Sequence, residues 1–216
     1  MDIEFHCASG SPYAWRVWLA LEHKALAYDL KMLSFSAGDL QKPEFLVLNP
    51  RHKVPAIVDH GFALYESAAI LEYLDDAYPD AGGRLFPSGA KSRAVARRLV
   101  READEYVARA LEAMVDEILL KPAAEWSEAA IAHARDTFAK ELGHFERALN
   151  GDFLIEGVGA ADFTLYPLIA LALRMERRKP DLALRSVVGP KLGAWMQRVE
   201  ALPYFAKTYP PHWKTS

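Results

Sequence analysis

A change of pattern part-way along the chain limits what this sequence can fold into more than any other feature. Residues up to about 80 alternate strand-like and helical patterns, whereas the sequence after Ser88 has helical periodicity and no convincing strand. Between them, Tyr78–Gly89 is rich in proline and glycine, which end helices and favour turns. We therefore predict a first domain over residues 1–80, a linker over 81–90 and an all-helical domain over 91–216.

The first domain is predicted to follow the order βαβαββα, with a mixed four-stranded sheet. The strands are Asp2–Cys7, Ala27–Leu33, Val54–Asp59 and Phe62–Tyr65. The helices are Pro12–Lys24 and Ser67–Tyr78, and Pro43–Leu48 is a short helix or turn. The last two strands are separated by His60-Gly61, which is typical of a hairpin and makes them antiparallel. This order is that of a thioredoxin-like α/β domain. The sequence has no CxxC motif, which argues against thiol–disulfide exchange.

The second domain is predicted to contain four long helices, at about Lys91–Leu120, Ser127–Leu149, Ala160–Met175 and Pro190–Glu200. The third of them is apolar nearly all round, so we expect the domain to pack on it. Asp162 follows Gly159 by three residues, where a carboxylate can accept hydrogen bonds from the free amides at a helix start.

The cysteine and histidine residues give no sign of a metal or a disulfide framework. The single cysteine, Cys7, excludes an internal disulfide, and its place in the first strand predicts a small buried residue rather than a nucleophile. The histidines, including His212, lack the spacing of metal ligands and are predicted to lie on the surface or in loops. We therefore predict no metal.

The charge distribution favours neither nucleic acid nor membrane as a partner. The formal net charge is -3, and no apolar stretch reaches the ~18 residues of a membrane span. The N-terminus lacks the pattern of a signal peptide, so we predict a cytoplasmic protein. Four arginines at helical spacing among acidic residues predict a solvated or subunit-facing helix surface: Arg93, Arg97, Arg98 and Arg101.

The first motif that indicates chemistry is the turn Ser9-Gly10-Ser11-Pro12, which brings a hydroxyl to the start of the first helix. A hydroxyl there can donate a hydrogen bond to a thiolate, and the helix end adds about half a positive charge. Ser11 is our first choice for this role. Ser9 is the second, because it lies farther from the helix. The alternative is that Ser11 only caps the helix.

The second motif is His52-Lys53-Val54-Pro55, directly before a strand. Proline at a strand start indicates an edge or a cis bond. In a cis geometry, Val54 presents its backbone N–H and C=O to an extended peptide alongside, and Lys53 can neutralise a ligand carboxylate. The alternative is an ordinary Val-Pro pair beside a surface lysine.

The third motif, Tyr65-Glu66-Ser67-Ala68, lies where a strand ends and a helix begins. Ser67 offers a hydroxyl and an amide to a carboxylate, and Glu66 offers an acceptor to an ammonium group. The alternative is a capping serine next to a solvated glutamate.

Together, the three motifs match a ligand with a thiol, an extended peptide unit, a carboxylate and a zwitterionic end. Glutathione has these groups in that order.

Three sequence patterns resemble the glutathione transferase family: Ser-Pro-Tyr-x-x-Arg-Val, Lys-Val-Pro and Glu-Ser-x-x-Ile-x-x-Tyr-Leu. The resemblance extends over the whole chain, because Gly159–Pro167 is similar to the family's helix-capping motif, with glycine in place of the usual hydroxyl. It implies a glutathione-binding first domain, a helical domain that forms the electrophile pocket, and a symmetric homodimer.

The spacing of the first pattern resembles the serine-type classes such as tau and zeta, because Ser11 lies five residues before Arg16. The same resemblance implies that Lys53, Val54, Glu66 and Ser67 bind glutathione and that Gln41 or Lys42 contacts its glycine carboxylate. It also implies a contact between Asp104 and the partner subunit's glutathione. Our candidates for the electrophile pocket are Tyr106, Arg109 and Trp213.

The predicted function is therefore a glutathione S-transferase that ionises the thiol of glutathione, its co-substrate, and transfers it to a small hydrophobic electrophile. A glutathione-dependent isomerase, dehalogenase or peroxidase on the same fold is the alternative among enzymes. A non-catalytic binding module is the alternative outside them. The presence of both Ser11 and Glu66-Ser67 argues against the module, since a scaffold needs neither.

Overall fold

The chain folds into two compact units, and the computed structural model describes residues 3–214 of it. The first unit contains the described residues up to Ser88 together with those from Leu202 onward, and the second unit spans Gly89–Ala201. Residues 202–214 thus fold with the amino-terminal part, whereas the sequence groups them with the helical part. Among residues 3–214, no helix is long and apolar enough to cross a membrane.

The first unit is built on a mixed four-stranded sheet. Its strands are β1 (Ile3–Ala8), β2 (Tyr28–Leu33), β3 (Ala56–Asp59) and β4 (Phe62–Tyr65). Their order is β2-β1-β3-β4, with β1 parallel to β2 and antiparallel to β3, and with β3 antiparallel to β4. This arrangement confirms the predicted thioredoxin-like topology. Strand β3 begins after Pro55 rather than at Val54, because proline has no N–H to donate to the ladder.

Three helices complete the thioredoxin-like order: α1 (Pro12–His23), α2 (Pro43–Leu48) and α3 (Ser67–Ala77). Side chains of β1, α1, β3 and α3 form a buried core that includes Phe5, Val17, Leu21, Ile57 and Leu71. Cys7 belongs to this core, as predicted, and its burial raises the pKa of the thiol to about 12. Cys7 is therefore a packing residue and not a nucleophile.

The C-terminal segment, residues 202–214, packs along α1. It contains a short helix, α9 (Phe205–Thr208), and a single 3-10 turn, Pro211–Trp213. Trp15 of α1 donates from its indole Nε1 to Thr208 Oγ1 at 3.0 Å. Its ring lies 5.4–5.9 Å, centroid to centroid, from the rings of Phe205, Tyr209 and Trp213. At the other end of α1, Lys207 Nζ and Glu22 Oε1 form an ion pair at 2.6 Å.

The second unit is helical, as predicted. Its helices are α4 (Ala90–Glu102), α5 (Ala108–Ile118), α6 (Glu128–Ala148), α7 (Ala160–Met175) and α8 (Pro190–Glu200). The predicted helix Lys91–Leu120 is divided by a π-helical turn, Ala103–Val107. Helix α7 is buried along most of its length, which agrees with its apolar sequence. Arginines on α4 form i,i+4 ion pairs with Glu102 and Glu105, as expected for a solvated face.

Asp162 connects the start of α7 to its surroundings in the second unit. Its Oδ2 accepts from the Gly159 N–H at 3.0 Å, and its Oδ1 accepts from the Leu154 N–H at 3.0 Å and from Trp195 Nε1 at 2.7 Å. Burial raises the pKa of Asp162 to about 6, although the three N–H donors oppose this shift. Because all three partners are N–H donors, the site fits the carboxylate form, which can accept all three hydrogen bonds.

Replacing this carboxylate should weaken the second unit strongly. In Asp162→Ala, three N–H groups lose their acceptor in a buried site, so we expect the free energy of unfolding to fall by about 2–4 kcal/mol. Denaturant unfolding measures this loss. Asp116→Ala is the control, because Asp116 lies on the exposed face of α5. Equal stabilities of the two variants would contradict the role assigned to Asp162.

Candidate functional site

The strand register brings the three sequence motifs to one end of the sheet in the first unit. His6, near the end of β1, pairs with Ala56 at the start of β3. Ala56 in turn pairs with Tyr65, the last residue of β4. The loops that follow β1, precede β3 and follow β4 therefore all leave the sheet at the carboxyl end of β1. These loops contain Ser9–Ser11, Lys53–Pro55 and Glu66-Ser67.

The loop after β1 is a tight turn over residues 8–11, which we call the serine turn. The Ser11 N–H donates to the Ala8 carbonyl oxygen at 3.2 Å, and Gly10 adopts a φ of +86° that favours glycine. Ser11 is the N-cap of α1, and its Oγ accepts from the Ala14 N–H at 3.3 Å. The hydroxyl proton of Ser11 is not used in that bond, so it can be donated to a ligand. The next residues, Pro12–Trp15, are uncharged and leave the positive helix end unneutralised.

The second hydroxyl of the serine turn meets the C-terminal segment. Ser9 Oγ lies 2.6 Å from the Nδ1 atom of His212. A Cβ atom added to Gly10 would lie 2.7 Å from His212 Cε1 and 3.3 Å from Trp213 Nε1. The 3-10 turn Pro211–Trp213 therefore lies against the serine turn. The sequence predicted His212 as a surface or loop residue without a role, because nothing local to it points to a residue about 200 positions earlier.

The loop before β3 is held by Asn49. Its Nδ2 donates to the Lys53 carbonyl oxygen at 2.6 Å, and its Oδ1 accepts from the Arg51 N–H at 2.9 Å. The Val54–Pro55 peptide bond is cis, as predicted. The Val54 side chain is buried, whereas Lys53 is exposed.

The loop after β4 ends in an unusual backbone conformation. Glu66 has a φ of +71°, which is rare for a residue with a side chain and costs of order 1–3 kcal/mol. Ser67, the first residue of α3, is 7% exposed. In the described part of the chain, the Glu66 side chain makes no capping hydrogen bond to α3. The first backbone N–H groups of α3 therefore lie at the same end of the sheet, and the side chain of the preceding residue does not cap them.

The two candidates for a carboxylate contact before α2 differ in their surroundings. Lys42 Nζ pairs with Asp39 Oδ1 at 2.7 Å, and this hydrogen bond raises the pKa of Lys42. Gln41 ends a 3-10 helix and is exposed. Of the two side chains, Lys42 is thus already engaged by a carboxylate.

Comparison with known proteins agrees with this geometry. A family model described as "Glutathione S-transferase, N-terminal domain" matches residues 10–77. Glutathione S-transferase A of Pleuronectes platessa is 28% identical over 223 residues, which cover 100% of this chain and 94% of that protein. The crystal structure of a glutathione S-transferase from the Antarctic clam Laternula elliptica is 30% identical, with a TM-score of 0.84, and the match covers 100% of this chain and 95% of that chain.

The chain belongs to the glutathione S-transferase family. A more distant structure shares the fold: a glutathione transferase from Burkholderia graminis, at 21% identity, has a TM-score of 0.85 over 96% of this chain and 87% of that chain. That structure contains two glutathione molecules per protein subunit.

The remaining predicted residues of this glutathione S-transferase family member lie in different units. Asp104 and Tyr106 are on the π-helical turn of the second unit, and Tyr106 is exposed. Arg109 Nη2 pairs with Glu105 Oε2 at 2.5 Å. Trp213 is buried in the first unit beside Trp15 and the serine turn. Across residues 3–214, no cluster of three or more His, Cys, Asp or Glu side chains is arranged to hold a metal ion.

Gly10 should tolerate a side chain less well than Gly61, another glycine of the first unit with a positive φ. Gly10→Ala places a side chain at a φ of +86° and pushes it against His212, whereas Gly61 has a φ of +85° with no atom within 4 Å of an added Cβ. We expect Gly61→Ala to lose about 1 kcal/mol of stability from the left-handed conformation alone. Gly10→Ala should lose more. Thermal unfolding of both variants gives the difference, and equal losses would mean that the His212 contact does not constrain the turn.

Proposed function

We propose that this protein binds glutathione at the three loops of the first unit, ionises its thiol and transfers the sulfur to a small hydrophobic electrophile. Membership of the glutathione S-transferase family supports this activity. The observation that carries the proposal is the Ser11 hydroxyl at the N-terminus of α1, with its proton free to be donated to a sulfur atom. We also propose a cytoplasmic location, because thiols are kept reduced there.

The chemistry of Ser11 consists in stabilising a thiolate. A free thiol has a pKa of about 8.5, and each unit of depression corresponds to about 1.4 kcal/mol. A hydrogen bond from the hydroxyl and the positive end of α1 act on the same sulfur, so a depression of one or two units is within reach. The thiolate then attacks an electrophile held beside it, and the gain in rate comes from the thiolate concentration and from proximity.

The γ-glutamyl end of glutathione is assigned to the start of α3. Its carboxylate would accept from the Ser67 hydroxyl and from the first amides of α3. Its ammonium group would pair with Glu66. The positive φ of Glu66 supports this assignment, because such strain persists where a backbone must be held for a ligand.

The rest of glutathione is assigned to the loop before β3 and to the segment before α2. The backbone of Val54 would pair with the peptide, and Lys53 would neutralise the glycine carboxylate. Gln41 is the better of the two further contacts, because the ammonium group of Lys42 already pairs with Asp39.

We further propose a serine-type enzyme, similar to the tau and zeta classes, that acts as a homodimer. Arg16, five residues after Ser11, is buried, and its guanidinium lies 5.1 Å from the Tyr13 ring centroid. Asp104 would contact the glutathione of the partner subunit. Tyr106 and Arg109, both in the second unit, are assigned to the electrophile pocket.

Glutathione affinity should depend on Ser67. In Ser67→Ala the ligand carboxylate loses a donor at a buried position, so we expect binding to weaken by about 1–3 kcal/mol. Isothermal titration calorimetry with glutathione measures this change. Ser92→Ala, in the first turn of α4, is the control and should keep the original affinity. Unchanged affinity in Ser67→Ala would remove this residue from the binding site.

Turnover should depend on Ser11 more than affinity does. In Ser11→Ala we expect slower turnover at neutral pH, a rate profile shifted toward alkaline pH and a smaller change in glutathione affinity, because the hydrogen bond strengthens as the thiol ionises. The assay is the pH dependence of kcat and kcat/KM with a panel of electrophiles.

A matched control separates catalysis from helix capping. Ser127 caps α6 with the same geometry, since its Oγ accepts from the Ala130 N–H at 3.3 Å. Ser127→Ala should lose stability like Ser11→Ala, typically about 1 kcal/mol, without a change in the pH profile. A normal profile in both variants would show that another group stabilises the thiolate.

A further inference from the structure

Within the first unit, the serine turn has two hydroxyl groups in different surroundings. Ser11 Oγ accepts a backbone N–H, which leaves its proton for a ligand. Ser9 Oγ lies 2.6 Å from His212 Nδ1, a distance that requires a hydrogen bond between them. A ring nitrogen that faces a hydroxyl at a thiol-binding turn is a candidate proton acceptor.

The C-terminal segment holds His212 in this place, although the His212 ring itself is exposed. The next residue, Trp213, is buried, and its ring lies 5.4 Å from Trp15 and 5.9 Å from Tyr209. Trp15 also donates to Thr208. The backbone that carries His212 is thus held by aromatic packing against Trp15, while the exposed ring can exchange protons with water.

We propose that His212 is a positioning residue that takes up the proton of the glutathione thiol through the hydroxyl of Ser9. The proposal rests on the proposed function, because it needs a thiol at the serine turn. Ser11 would stabilise the sulfur anion, and Ser9 with His212 would carry its proton away. The two serines therefore have different roles, and neither replaces the other.

The proton transfer balances without a further reactant. Before it, the thiol S–H donates to Ser9 Oγ, and the Ser9 O–H donates to His212 Nδ1. The S–H bond then breaks, its proton binds to Ser9 Oγ, and the original Ser9 proton moves to Nδ1. The products are a thiolate and an imidazolium, and Ser9 now donates its hydrogen bond to the sulfur. The imidazolium stays beside the thiolate and stabilises it, and its proton leaves to solvent once the thiolate has reacted.

Three cationic side chains on the elements around His212 have other partners. In the C-terminal segment, Lys214 Nζ donates to the Ala206 carbonyl oxygen at 3.4 Å, and Lys207 pairs with Glu22. On α1, Arg16 lies over the ring of Tyr13.

The test measures the ionisation of bound glutathione directly. The ultraviolet absorbance of the thiolate is titrated against pH in the glutathione complexes, and the pH profile of kcat/KM is recorded beside it. The variants are His212→Gln, Ser9→Ala, Ser9→Thr and the double variant Ser9→Ala with His212→Gln. Glutamine keeps an acceptor near Ser9 but does not bind a proton at neutral pH. The control is His133→Gln, an exposed histidine on α6.

In His212→Gln we expect the pKa of the bound thiol to rise by about one unit, which is a roughly ten-fold fall in its ionisation constant. Glutathione affinity should stay within about two-fold, because the interaction acts on the ionised state. Ser9→Ala should show the same rise in the thiol pKa, whereas Ser9→Thr keeps a hydroxyl and should keep the original pKa. The double variant should have the same thiol pKa as Ser9→Ala, since the two residues act in series.

Two results would overturn the proposal. The first is an unchanged thiol pKa in His212→Gln; a lower melting temperature and weaker binding beside it would make His212 a structural residue only. The second is an additive effect in the double variant, which would mean that His212 acts without Ser9. Failure of the proposed function looks different, because the unmodified protein itself would then show no thiolate absorbance with glutathione.

Discussion

The pairing of β1 with both of its neighbours is the constraint on which the first unit depends. β1 runs parallel to β2 and antiparallel to β3, so its carboxyl end, the start of β3 and the end of β4 lie together. A one-residue slip would turn every side chain of β1 to the opposite face, and the buried Phe5 and Cys7 would leave the core. Core packing therefore fixes the register, and the register brings three distant loops to one place.

The N-termini of α1 and α3 both lie at this end of the sheet. Both attract negative charge, but they differ in how their first amides are capped. At α1 a serine side chain satisfies one amide, and the turn that leads into the helix requires the positive φ of Gly10. At α3 the preceding Glu66 adopts a positive φ and leaves the helix start open in the described structure. Each helix end attracts negative charge, which suits a thiolate at the first and a carboxylate at the second.

The C-terminal segment adds a constraint that comes from the opposite end of the chain. Trp15 carries a large aromatic ring on α1, and packing against Phe205, Tyr209 and Trp213 buries it. The same packing brings His212 to Ser9. The end of the polypeptide thus supplies a titratable group to a turn formed by its beginning.

The sequence by itself determined the βαβαββα order of the first unit and the helical character of the second, because alternating and helical periodicities reflect which faces are buried. Helices Pro43–Leu48, Ala160–Met175 and Pro190–Glu200 have the bounds predicted from proline, glycine and apolar spacing. Local chemistry also identified Ser11 as a helix cap and predicted the cis bond before Pro55. The π-helical turn at Ala103–Val107 and the contact between Ser9 and His212 were decided by the tertiary structure alone. Such contacts depend on side-chain packing between residues far apart in sequence, and no local pattern records that packing.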